Sequence, residues 1–301
     1  MSVTEALCDL VATASLPALP VRRAGRVVAF DGGIVEAVGI SGAPGLVAAV
    51  GPGRRPAELV GFRGDRALLM GLAPLSGIAP GAAVLPDGMA GRIACGDALL
   101  GRIIDGRGQP IDGLGPILAD RQRPAVPPVC NPADRARVTA PLATGVRPID
   151  ALLTLGVGQR VGIMAGTGVG KSVLLGQVAR WAAADIVIMA LIGERSREIA
   201  DFLETELSGP ARARTVTLAV PASAPMLLRV RGAERAFTIA EHFRDQGQHV
   251  LLILDSLSRV VHGAREVALA RGEPAGNRAY PPSALQLVAS LAERAGGDRH
   301  S

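Results

Sequence analysis

The spacing of apolar and polar positions changes character once along this chain. From residue 22 to about 86 the apolar residues fall in short stretches broken by turns that carry Gly and Asp. Residues 26–30 (RVVAF) and 34–38 (IVEAV) flank Asp31-Gly32-Gly33, and residues 57–62 and 66–72 flank Arg63-Gly64-Asp65. Each pair predicts a β-hairpin, because a tight hairpin turn needs positive φ and glycine adopts it at no steric cost. No helical period runs through this part, so it predicts a small β-barrel. After Arg147 the pattern alternates between continuous apolar runs and stripes of helical period. Strands are expected at 159–164, 185–192, 215–220 and 249–254, and helices at 172–184, 195–207, 232–245 and 282–295. That alternation predicts an α/β fold with a parallel sheet covered on both faces.

Between the two parts, the chain is rich in Gly, Pro and Asp, yet carries apolar pieces such as residues 99–104 (LLGRII). An ordered connector fits this better than a loose linker. The expected division is a tail at 1–21, a β-barrel domain at 22–88, a connector at 89–145 and an α/β core at 146–301. No period of the solenoid or propeller kind is present.

Composition narrows the function classes. Hydrophobic residues make up 49% of the chain, which excludes disorder and suffices for a large core. A net charge of +5 invites a nucleic-acid or anionic-surface reading. Aromatic residues are only 2%, though, and the arginines are dispersed among acids, so stacking platforms for single strands are lacking and no nucleic-acid partner is expected. Cys8, Cys95 and Cys130 are odd in number and far apart, as free thiols of a reducing compartment would be. Residues 1–20 lack a basic start, and Pro17 and Pro20 interrupt them, so a signal peptide is not expected. No apolar run reaches the length of a membrane span. Together these features predict a cytoplasmic protein.

Lys171 is the one lysine among 32 basic residues, and it lies in AGTGVGKS, residues 165–172. This is the Walker A pattern with Ala165 in place of the first glycine. Its context is the required one, with an expected strand before it and an expected helix after it. Gly166, Thr167, Gly168, Val169, Gly170, Lys171, Ser172 and Val173 are the candidate nucleotide-binding residues. Backbone N–H groups at the positive end of the helix dipole would hold phosphate oxygens. Lys171 would neutralise the β- and γ-phosphates as a compact point charge, and the Ser172 hydroxyl would ligate Mg²⁺. The expected cofactors are therefore ATP and Mg²⁺.

Residues 250–255 (VLLILD) read as a Walker B strand, with Asp255 at its C-terminal end reaching the same Mg²⁺. An apolar run ending in Asp also describes an ordinary strand followed by a helix cap; the P-loop upstream favours the metal role. Glu194 ends a second apolar strand. It is either the carboxylate that polarises the attacking water or a solvated acid at the start of the next helix.

These motifs carry a resemblance. GVRPID (145–150), AGTGVGKS (165–172), IGERSRE (192–198), EHFRDQG (241–247), LDSLSR (254–259), GEP (272–274) and YPPS (280–283), together with GRIIDGRGQPID (101–112), resemble the flagellar and type III secretion export ATPases, relatives of the catalytic subunit of rotary ATP synthases. The resemblance covers roughly residues 22–295. It implies a RecA-like P-loop core behind an N-terminal β-barrel, Mg-dependent ATP hydrolysis, and coupling to protein export through chaperone release and substrate unfolding. It also implies a homohexamer, export-apparatus stalk and regulator proteins and secretion chaperones as partners, and peripheral contact with the inner face of a bacterial membrane. Glu194 becomes the catalytic carboxylate, and Arg195 a catalytic residue linking nucleotide state to a neighbouring subunit.

Residues 296–301 fall where members of that family continue. The next core strand, the segment bearing an arginine finger, the aromatic residues that pack on adenine and a C-terminal helical domain lie outside these 301 residues. An arginine finger is worth orders of magnitude in rate, so turnover by this chain alone is not expected to be fast. The alternative is a nucleotide-binding or assembly subunit without independent turnover. A hexameric RNA helicase of the terminator kind would need aromatic platforms in residues 22–86, where only Phe30 and Phe62 occur. The wording around the P-loop leans towards the flagellar branch.

Overall fold

The computed structural model describes residues 24–31, 33–87, 91–125, 131–166, 168–276 and 279–297. The expected tail at 1–21, Thr167, Cys8 and Cys130 lie outside them.

Six strands close the barrel: β1 (Gly25–Asp31), β2 (Ile34–Val38), β3 (Val47–Val50), β4 (Arg55–Arg63), β5 (Arg66–Gly71) and β6 (Ala83–Pro86), in the order β1-β2-β5-β4-β3-β6. The two expected hairpins are β1–β2 and β4–β5, both antiparallel. Val27, Val35, Ala37, Ala48, Val50, Leu59, Leu69 and Val84 fill the interior. The strands alternate, so Val60 and Leu68, next in sequence to interior residues, face outwards into the second core. β3 and β6 are not evident in the sequence pattern, and they supply the pairings that remove the barrel's edges.

The connector holds β7 (Arg92–Cys95), β8 (Ile103–Ile104) and β9 (Arg121–Pro124), followed by β10 (Pro141–Leu142). β7 pairs with β9, while β8 joins the core sheet. Side chains lock this stretch. Asp112 takes Arg102 Nε at 2.7 Å and Nη2 at 2.9 Å, together with the N–H groups of Ile103 and Leu114. Asp150 does the same for GVRPID, accepting the N–H of Thr144 at 2.8 Å, its hydroxyl at 2.7 Å and the N–H of Gly145 at 3.0 Å.

The α/β core contains α1 (Arg147–Leu152), β11 (Leu155–Gly156), α2 (Lys171–Trp181), β12 (Ile186–Ile192), α3 (Ser196–Thr205), α4 (Pro210–Ala213), β13 (Thr215–Val220), α5 (Met226–Arg244), β14 (Val250–Asp255), α6 (Leu257–Ala270) and α7 (Pro282–Arg294). Its sheet is parallel, in the order β14-β12-β13-β8. All seven residues of β12 are buried, as a strand covered on both faces requires. Ile186, Ile188, Ala190 and Ile192 pack on α5, while Val187, Met189 and Leu191 meet α2 and α3. At roughly 1.5–3 kcal/mol for each fully buried large side chain, this one strand makes a major contribution to the core.

Three expectations are corrected. Residues 159–164 do not form a strand: β11 pairs only with β10, and residues 159–166 are exposed and unladdered, with Met164 at 96% exposure. A strand needs its N–H and C=O groups paired along a neighbouring edge, and the outer edge of β14 is left unpaired among the described strands. The helix expected from residue 232 begins at Met226, and Gly232 is interior to it. A Cβ at Gly232 would lie 2.8 Å from Val220 Cγ2, so this glycine allows α5 close against the sheet rather than marking its start. Finally, α6 is absent from the expected elements, although Val260, Ala264 and Ala268 recur on its buried face.

Candidate nucleotide site

The site is built on the C-terminal ends of β12 and β14 and on the start of α2. Asp255 ends β14 and is 4% exposed. Its Oδ1 lies 2.5 Å from Lys171 Nζ at the first position of α2. The only lysine thus meets the Walker B carboxylate across 84 residues of chain.

Gly168 and Gly170 have φ of +77° and +89°. A Cβ at either would meet nothing within 4 Å, so the backbone conformation is what calls for glycine there. Gly170 is the N-cap of α2 and offers no side chain to cap it. The first N–H groups of α2, with Lys171, Ser172 and Val173 in the opening turn, therefore face outward at the positive end of the helix. Gly166, Gly168, Val169, Gly170, Ser172 and Val173 are all exposed, and Lys171 is half-buried.

Glu194 follows β12 and is half-buried. Burial pushes its carboxyl above the usual range and the nearby Asp255 adds to this, while Lys171 and Arg259 oppose it. Gly193 sets its position, with φ of +78° and Arg259 so close that a Cβ would lie 2.6 Å from the Arg259 Cβ. The Glu194 carbonyl accepts the N–H of Ala222 at 2.8 Å.

Lys171, Asp255 and Glu194 are therefore brought together. Arg195 is not turned towards them: its guanidinium donates to Glu198 at 2.7 Å, along α3. Two arginines missed in the sequence lie near Glu194: Arg259, which acts on its carboxyl, and Arg229, joined to its backbone through Ala222. Arg229 is buried on α5, donates from Nη2 to Ala222 O at 2.6 Å, and leaves Nε without a partner. Burial first, then Arg259, pulls its pKa down. An arginine within a helical stretch of an arginine-rich chain gives no signal in the sequence; only the packing of α5 against Ala222 and α6 places it here.

Among the described residues no three His, Cys, Asp or Glu side chains cluster as a self-sufficient metal site. A Mg²⁺ arriving on a nucleotide needs only one or two protein oxygens, and the Asp255 carboxylate and Ser172 hydroxyl are hard oxygen donors of that kind. No helix among the described residues is long and apolar enough to cross a membrane.

The chain resembles known proteins along most of its length. Residues 145–301 match the nucleotide-binding domain of the ATP synthase alpha/beta family. The chain is 46% identical over 300 residues to the flagellum-specific ATP synthase of Salmonella typhimurium, covering 95% of this chain and 65% of that protein. It is 40% identical over 279 residues to the type 3 secretion system ATPase of Xanthomonas euvesicatoria, covering 91% and 63%. The solved structure of the assembled ATPase EscN from the enteropathogenic E. coli type III secretion system superposes with a TM-score of 0.86 at 39% identity, over 91% of this chain and 67% of that one. A second solved structure, of EscN with its central stalk EscO, gives 0.86 as well. The chain spans 63–65% of the length of the two curated relatives. On this evidence the chain belongs to the ATP synthase alpha/beta family, among relatives named as flagellum-specific ATP synthases and type 3 secretion system ATPases.

Proposed function

We propose that this chain is the nucleotide-binding part of an export ATPase that binds Mg-ATP and hydrolyses it to drive protein export in flagellar or type III secretion. The observation that carries the reading is the meeting of Lys171 with Asp255, with the half-buried Glu194 beside them. The N–H groups from Gly168 to Val173 would bind phosphate oxygens, Lys171 would neutralise their charge, and Ser172 and Asp255 would hold Mg²⁺. The ion supplies charge neutralisation at the phosphates. Glu194, less acidic than an exposed carboxylate, orients the attacking water and accepts its proton. Arg259 places positive charge near that carboxylate, and Arg195, on the exposed rim, is available to a neighbouring subunit.

By analogy with EscN, described as an assembled ATPase and as a complex with a central stalk, the chain takes part in a ring with a stalk partner. Chaperone release, substrate unfolding and peripheral contact with the membrane are the export steps assigned to that ring. Titration calorimetry with Mg-ATP tests the binding: wild type should bind and Lys171→Ala should bind at least about tenfold more weakly. Equal affinities would remove the P-loop from the proposal. Binding without turnover is a second reading, favoured by the exposure of residues 159–166, which no ladder fixes to the sheet. Phosphate release by the isolated chain separates the two: Lys171-dependent release supports the motor, and its absence beside intact binding supports the second reading.

A further inference from the structure

A cavity of about 410 Å³ lies away from the P-loop, between the connector and α5. Leu99, Ile104, Pro110, Pro116 and Ile117 form apolar walls, and Arg235 from α5 supplies a cation. Its guanidinium has one hydrogen bond, a long one of 3.4 Å from Nε to Gly106 O, and no carboxylate within ion-pair distance among the described residues. The acids that act on it electrostatically are committed elsewhere. Asp105 accepts the N–H groups of Arg107 at 2.9 Å and Gln109 at 2.8 Å and pairs with the Arg107 side chain at 3.2 Å. Glu234 pairs with Arg231 at 2.5 Å. Cys95 is buried nearby, its thiol pushed up to about 11 by burial first, so it is neutral and gives no counter-charge.

The chain also makes room for this head group. Gly108, at φ +84°, lies beneath the guanidinium, and a Cβ there would fall 2.7 Å from Arg235 Nη1. A charge drawn out of water is costly unless a partner compensates it, and burial accordingly pulls the Arg235 pKa down. An apolar cavity of this size with one convergent cation has the makings of a small-molecule site.

We propose that this cavity binds a small monocarboxylate with an apolar body, its carboxylate on Arg235 and its body against Leu99, Ile104 and Ile117. Arginine is suited to this because its planar fork matches a carboxylate in a bidentate geometry. The site shares no residue with the nucleotide site, so it stands apart from the proposed ATPase reading.

The test is titration calorimetry and thermal denaturation of the full chain with sodium hexanoate, and with hexan-1-ol and sodium sulfate in parallel. Hexanoate should bind and raise the Tm, and each comparison compound should bind at least about tenfold more weakly, since hexan-1-ol lacks the charge and sulfate lacks the body. Arg235→Met should weaken hexanoate at least about tenfold and Arg235→Lys less, while Lys171→Ala leaves it unchanged. If the Met variant does not fold, Ile117→Trp, which fills the cavity and keeps the cation, should weaken hexanoate to a similar degree. Absence of hexanoate binding, equal binding in wild type and the folded variants, sulfate binding as tightly as hexanoate, or loss in Lys171→Ala would each overturn the proposal.

Discussion

Lys171 Nζ and Asp255 Oδ1 are 2.5 Å apart, so the loop that would hold phosphate and the strand that would hold Mg²⁺ are joined by an ion pair. Asp255 is the buried partner, which makes the pair asymmetric. Lys171→Ala should cost about 1–3 kcal/mol because it strands a buried carboxylate. Lys171→Ala with Asp255→Asn should be less destabilised than Lys171→Ala alone. Urea denaturation of the four proteins in the cycle gives the answer, and additive losses would mean that the two side chains do not interact in solution.

Glu194→Gln should preserve Mg-ATP binding while lowering any phosphate release by about 10²-fold or more, the scale of a positioned general base. Single-turnover phosphate release beside calorimetric binding separates the two effects. A variant that releases phosphate at the wild-type rate would return Glu194 to the role of a solvated acid at the start of α3.

Gly193→Ala should be destabilised by about 1–3 kcal/mol, because a side chain at φ +78° is strained and its Cβ would press on Arg259. It should also slow turnover by moving Glu194, the next residue. Alanine accepted there with unchanged stability would show that the close approach of α6 relaxes freely.

The Arg102–Asp112 pair predicts a pH dependence. Hydrogen bonding by Arg102, opposed by burial and aided by the N–H groups of Ile103 and Leu114, holds the Asp112 carboxyl far below the ordinary carboxylate range. A depressed acid stabilises the fold above its unfolded pKa, about 3.9, and that contribution is lost as pH falls through the folded value. Asp112→Asn should therefore be less stable than wild type by about 1.5–3 kcal/mol near neutrality. The gap should narrow as pH falls below about 4. Thermal melts from neutral to acid pH check the sign, and a gap that widens in acid would contradict it.

The sequence was most legible where one physical signal dominated. β12 and β14 are apolar runs that leave little else they could be, and β13 is buried along its whole length despite two threonines, whereas β14, at the sheet edge, is mostly half-buried. Asp255 and Glu194 were readable because each stands at the C-terminal end of such a strand, and Lys171 because of the Gly-rich loop around it. β3 and β6 were not: VAAV and AVLP are short, and become strands only by pairing with each other and with β1 and β4. The run from Val161 to Met164 erred in the opposite direction, strand-like in composition but not laddered to the free outer edge of β14. Arg195 had sequence position in its favour, yet its nearest acid, Glu198, holds it along α3. Arg229 and Arg235 were hidden because helix register and tertiary packing, rather than spacing, aim them.

The junction of barrel and core adds a mechanical property to this site. Arg231 of α5 grips Glu58 of the barrel, with Nε 2.9 Å from Oε2, and Glu234 alongside. Two residues earlier on the same helix, about 3 Å along its axis, Arg229 donates to the Ala222 carbonyl, and the Ala222 N–H donates to the carbonyl of Glu194. Barrel and Glu194 are thus the two ends of one chain of hydrogen bonds that runs through α5. A displacement of the barrel would reach Glu194 through four residues, and a displacement of Glu194 would reach the barrel by the same route.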